Sequence, residues 1–266
     1  MRATPYRSLA LVFLATLTAC GDAPPADEAP THSAAPTAEF REFEDALARW
    51  ITAFEDAHAA RVDLVGDGLD AAIVVVRSIV RQTGTMREQF TDEGDAAAEP
   101  DAKALRARRQ VETMYSHNLA RLNELRARRA EAARADLALE EAGAALDAAA
   151  AGLPAGTSVP EREGAGDVDA LAKEANRRAT KLHSTRQKRA VWEADIGLME
   201  ELKEQPDSGL SASWIESQIE EGREKLRAFD EREVEQLAAV EEARAAYALA
   251  AQAERVRRAV EAASSR

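Results

Sequence analysis

Cysteine occurs once in the 266 residues, at Cys20, so the chain can form no internal disulfide, no thiolate metal cluster and no paired redox centre. Aromatic residues make up 5% of the sequence and glycines number 13, too few for the many short strands and tight turns of a sheet protein. Histidines number four, which limits imidazole chemistry to a few positions. The chain has no Cys-x-x-Cys-His, no phosphate-cradling glycine loop, no Gly-x-Ser-x-Gly and no His-Glu-x-x-His. Positive charge is in deficit. The formal net charge is −13, which argues against nucleic acid as a partner and against anionic lipid as the main one.

What is present begins with an export signal. Arg2 and Arg7 form a basic n-region, and the apolar stretch Ser8 to Ala19 follows. About a dozen apolar residues fall short of the ~20 that a spanning helix needs. Leu17-Thr18-Ala19-Cys20 places a branched apolar residue and two small residues directly before the cysteine. This sequence resembles the lipobox of bacterial lipoproteins. The resemblance implies that residues 1–19 are a signal peptide, that Cys20 becomes the new amino end, and that its thiol carries lipid. Two or three acyl chains, at about 0.8 kcal/mol per buried methylene, would make a durable anchor. In enterobacterial lipoproteins an aspartate after the cysteine marks the inner membrane, so the resemblance, with Gly21 in that place, implies the outer membrane, with the body in the periplasm. Loss of Arg2 and Arg7 takes the net charge from −13 to −15.

Residues 20–38 are rich in Pro, Ala, Thr and Ser without an apolar period, and read as a disordered tether. Eighteen extended residues reach roughly 60 Å. From Glu39 onward the sequence predicts an all-α body of long antiparallel helical hairpins, coiled-coil-like and extending to an elongated bundle. An N-terminal helical region spans 39–151, a linker loop 152–166 and a C-terminal helical hairpin 167–266.

Phe40, Phe43, Leu47, Trp50, Ile51, Phe54 and His58 share one helical face. Gly66-Asp67-Gly68 interrupts it, and Asp67 or Asp70 can cap the next helix. That helix, Leu69 to Phe90, contains Ala71-Ala72-Ile73-Val74-Val75-Val76 and is predicted to be the most buried, because it is apolar nearly all round. Thr91 to Pro100 reads as a loop, and Pro100 with Asp101 as the start of a helix reaching Ala151. Asp167 offers a cap to a heptad seam through Val168, Leu171, Ala175, Arg178, Leu182, Thr185, Arg189, Trp192, Ile196 and Met199. After the turn Gln205 to Gly209, Ser213 and Glu216 fit a capping box for a last helix ending near Ala262.

Charge alternates along the chain. Glu39 to Asp70 is acidic, Lys103 to Arg134 basic, Lys173 to Arg189 basic and Glu216 to Glu242 acidic. Oppositely charged helices are expected to lie side by side, each pair adding tenths of a kcal/mol but together selecting neighbours.

Two constellations have chemical spacing. Glu55-x-x-His58 matches half of a carboxylate-bundle metal site, but Met114 and Thr180 precede His117 and His183 where the second glutamate belongs. Asp63, Asp67 and Gly68 match part of a calcium loop, yet Val65 and Val74 occupy positions that need oxygen. No metal, cofactor or catalytic residue is therefore expected, and the chain is not expected to be an enzyme. The expected function is that of a non-catalytic structural or adaptor lipoprotein. Its partners would be the membrane, through Cys20, and a protein or a second copy, through the helical faces. A ligand-binding or sensory bundle, with Leu69 to Val80, Trp50 and Phe54 lining a pocket, is the alternative; an envelope hydrolase is a remote one.

Overall fold

In the computed structural model, residues 37–94, 102–154, 166–204 and 210–264 are described. Cys20, the tether up to Pro36, Pro100, Asp101, most of the 152–166 linker and the 205–209 turn lie outside the described residues, while Thr37 and Ala38, expected at the end of the tether, already belong to the start of α1. The described residues form five helices and no strand: α1 (Ala38–Ala60), α2 (Gly68–Gly94), α3 (Ala102–Ala151), α4 (Val168–Lys203) and α5 (Ala212–Ser264). All belong to one helical bundle within Thr37–Arg266.

Helix α1 starts where Thr37 accepts a hydrogen bond from Phe40 N at 3.3 Å, satisfying one orphan donor of the first turn. Phe43, Ala46, Trp50, Phe54, Ala57 and Ala60 recur at three- and four-residue steps and are buried. The helix stops at Arg61. Val62 follows with φ +54° and Gly66 with φ +51°. Glycine adopts that region freely, whereas a β-branched residue there is strained. Arg61 braces the break by donating to Ala57 O at 2.8 Å, Gly66 O at 3.2 Å and Asp136 at 2.7 Å. Asn176 of α4 closes it from the other side, accepting from Val65 N at 3.0 Å and donating to Val65 O at 3.1 Å. Val65 is fully buried.

Beyond the break, α2 buries Leu69, Ile73, Val76 and Thr83. It is not the most buried helix. Val74 and Val75 are 65% and 56% exposed, because α2 packs almost entirely on α3 and one neighbour covers only one stripe. It also continues to Gly94, past the expected loop start at Thr91. Asp70 does not cap it; its carboxylate pairs with Arg129 at 2.8 Å.

Cross-helix pairs fix the register. Arg87–Glu112, Asp70–Arg129 and Arg61–Asp136 show α1 and α2 together running opposite to α3. Lys203–Glu216, Arg189–Asp230, Arg186–Glu233 and Arg178–Glu242 show α5 running opposite to α4. The basic-against-acidic pattern therefore operates between α4 and α5. It does not operate between α1 and α3: Glu39, Glu42, Glu44, Asp45, Glu55 and Asp56 of α1 are exposed. Their positions alternate with the buried ones, so the face that reaches α3 is the apolar one.

Asp167 caps α4, accepting from Asp169 N and Ala170 N. The seam behind it holds: Ala175, Leu182, Thr185, Ile196 and Met199 are buried, with Arg178 and Arg189 reaching across to α5. For α5 the expected capping box is not used. Ser211 rather than Ser213 accepts from Trp214 N, at 3.3 Å, and Glu216 pairs with Lys203 instead. One cluster of the core joins Phe43, Trp50 and Phe54 to Leu146 and Ala259. A second joins Leu69, Ile73 and Val76 to Leu122, Leu182 and Val240. A third joins Leu198 and Met199 to Ile215 and Ile219.

Candidate functional site

A concavity lies where α4 begins. It lies between α3 and α5, with α1 contributing its floor. This cleft has a volume of about 1180 Å³. Trp50 and Phe54 line it from α1, Arg129 to Asp147 from α3, Gly166 to Asp169 at the head of α4, and Ala251 to Arg258 from α5.

The aromatic floor belongs to a ladder of stacked rings. Trp50 and Phe54 have centroids 5.3 Å apart, Phe54 and His58 5.9 Å, and His58 and Tyr247 6.0 Å. The ladder follows from the four-residue spacing on α1, which puts these side chains one turn apart on the same face. Burial, reinforced by the guanidinium groups of Arg244 and Arg61, lowers the His58 imidazole to about 4. His58 is therefore neutral at physiological pH and serves as a flat, mostly apolar ring.

The walls are charged but internally paired. Arg255 bonds Asp147 and donates to Gly143 O, both at 2.8 Å. Arg257 and Arg258 both grip Glu254, whose carboxyl is held below its ordinary range by those hydrogen bonds. Arg129 spans Asp70 and Asp136. The expected pocket wall Leu69 to Val80 does not line this cleft.

The sequence-level candidates are dispersed. Cys20, the proposed lipidation residue, lies outside the described residues. Glu55 faces solvent while His58 is stacked in the ladder, so the Glu-x-x-His pair does not converge. Asp63 approaches Arg186 at 3.8 Å, and Val65, within the Val62–Gly66 break, is fully buried. Among the described residues, no group of three or more His, Cys, Asp or Glu converges as a metal site.

Two features that matter were not visible in sequence. His117 of α3 and His183 of α4 stack at 5.3 Å with planes 23° apart. Asp195, only 3% exposed, receives Arg106 through both carboxylate oxygens, while Arg106 also donates to Gln218 of α5 at 3.1 Å. The only local signal for the second was a polar residue adjoining the Trp192–Ile196–Met199 seam. No family model matches the chain, and comparison with curated proteins and with solved structures returns no match.

Proposed function

We propose that the chain is a non-catalytic lipoprotein of the bacterial outer membrane, tethered through Cys20, whose helical body acts as a structural or adaptor element toward a protein partner or a second copy. The observation that carries this reading is the apolar surface left over once the bundle has closed. Val74, Val75 and Met86 on α2, and Val234 and Leu249 on α5, are each at least half exposed. They sit on long regular helices, where a partner helix can be seated by side chains at three- and four-residue spacing. Scattered apolar residues are ordinary on a protein surface. Here Val74 and Val75 are adjacent, and they occupy the outward side of a helix covered by a single neighbour.

Labelled fatty acid fed to the producing bacterium should appear on the wild-type chain and vanish in Cys20→Ser, with the wild type fractionating in the outer membrane. A photo-crosslinking residue at position 75 or 234 should give a discrete higher-mass species, and one at the polar position 231 should not. Equal labelling of Cys20→Ser removes the anchor from the reading. Absence of any species at both 75 and 234 removes the adaptor role.

The cleft on Trp50 and Phe54 favours a second reading, a ligand-binding bundle. Titration with an amphipathic aromatic probe should change indole fluorescence in the wild type and lose that change in Trp50→Leu. An unchanged spectrum over the accessible concentration range rules this reading out.

A further inference from the structure

The apolar side chains left exposed on the bundle differ in the charge around them. Val234 on α5 lies among the exposed Glu231, Glu235 and Glu241. In a chain of formal net charge −13, that segment repels a second copy of itself. Helix α2 is different. Its outward stripe runs through Ala71, Val75, Ser78, Gln82, Thr85 and Gln89, at alternating four- and three-residue steps, and all six are exposed. The stripe carries no charge over about 27 Å of helix, although charged residues make up 31% of the sequence. Val74 and Met86, 65% and 50% exposed, flank it on opposite sides.

Two unpaired charges border the same stripe. Arg81 and Glu88 are exposed, one heptad apart on the Val74 side, and neither has an ion-pair partner among the described residues. By contrast, Asp70 and Arg87 of the same helix are taken up by Arg129 and Glu112 of α3. Heptad geometry gives Val74, Arg81 and Glu88 one flanking position, and in an antiparallel pair of helices that position faces its own kind on the other helix. In a parallel pair it faces the opposite flank, which would set Arg81 beside Met86.

We propose that α2 is a self-association surface: two copies of the chain pair through antiparallel α2 helices about a twofold axis near Gly84, with Arg81 of each facing the partner's Glu88. The proposal rests on the adaptor reading and names its partner as a second copy. Twofold symmetry makes each contact occur twice and closes the assembly at two chains. The stripe is small and uncharged rather than strongly apolar, so the pairing is reversible and its direction is set by the two charge pairs. Both pairs are exposed, so added salt weakens them.

The test uses the full chain carrying Cys20→Ser, so that neither lipid nor a disulfide can join copies. Sedimentation velocity over a concentration series should show a monomer–dimer equilibrium. Arg81→Glu and Glu88→Arg each replace two attractive contacts by two repulsive ones and should each raise the dimer dissociation constant by about tenfold. The double variant Arg81→Glu/Glu88→Arg should restore wild-type affinity, and mixing the two single variants should give a heterodimer tighter than either homodimer. Circular dichroism should show unchanged helix content, since both side chains point away from the bundle. A chain that stays monomeric throughout the series, folded single variants that dimerise like wild type, or a double variant that fails to recover would each overturn the proposal. A monomeric chain that still gives a crosslinked species from position 75 in the producing bacterium would overturn the self-association alone and leave the adaptor reading with a different protein partner.

Discussion

Single side chains carry much of the definition at the break between α1 and α2. Asn176 satisfies both backbone groups of Val65 from another helix. Asn176→Ala should therefore strand a buried N–H and C=O and lower stability by about 2 kcal/mol, read from the midpoint of chemical unfolding. At Val62 the effect has the opposite sign. Its positive φ is costly for a branched side chain, so Val62→Gly should stabilise the protein by about 1 kcal/mol in the same assay. The histidines give a pH dependence. His58 ordinarily titrates near 6.5 and is lowered to about 4, chiefly by burial. As pH falls through that window, the unfolded chain takes up a proton that the folded chain refuses. Stability is lost between about pH 6.5 and 4, with no further loss from this group below it. The shift corresponds to at most about 3 kcal/mol, and His58→Phe should flatten the curve. Residue-scale features were legible in the sequence only where the partner is local. Asp167 caps the helix that begins beside it, and the aspartate announces that. Asn176 and Val65 are 111 positions apart, and no property of either residue names the other.

Among the elements, α2 shows how composition and burial diverge. The run Ala71 to Val76 is apolar enough for a fully enclosed helix, yet enclosure depends on the number of neighbours, which a sequence window does not contain. The consequence is measurable. Ile73→Ala should cost about 3 kcal/mol, whereas Val74→Ser and Val75→Ser should each stay within about 0.5 kcal/mol of wild type in thermal unfolding. If the outward valines seat a partner, the same serine variants should lose the crosslinked species while keeping their melting temperature. The α4 seam was legible for the complementary reason. Its three- and four-residue steps persist over nearly the whole helix, and α5 covers the stripe they define. The expected capping box at Ser213 failed by two residues because Ser211 offers the same hydroxyl earlier, where the chain is still outside the helix.

For the bundle as a whole, the all-helical class was written in alanine, glutamate and arginine and in the scarcity of glycine and aromatics. The arrangement of the five helices was not, since it rests on contacts such as Arg106 with Asp195 and Gln218, which tie α3 to α4 and α5 at once. Asp195→Ala should leave a partly buried guanidinium unpaired and lower stability by about 3 kcal/mol, and the loss should vary little with salt because Asp195 is 4% exposed at its side chain. The cleft was half legible. Trp50 and Phe54 stand out in a chain poor in aromatics, but the rest of the lining comes from α3, α4 and α5, far away in sequence. One further consequence concerns mechanics. Phe43 and Ala46 near the start of α1 share a cluster with Ala259 and Ala263 near the end of α5, so both ends of the body emerge at the same pole of the bundle. A pull between Thr37 and Ser264 would load the outermost turn first and open the structure like a zip, one layer after another. The same bundle pulled along its helix axes would shear all layers together and resist far more.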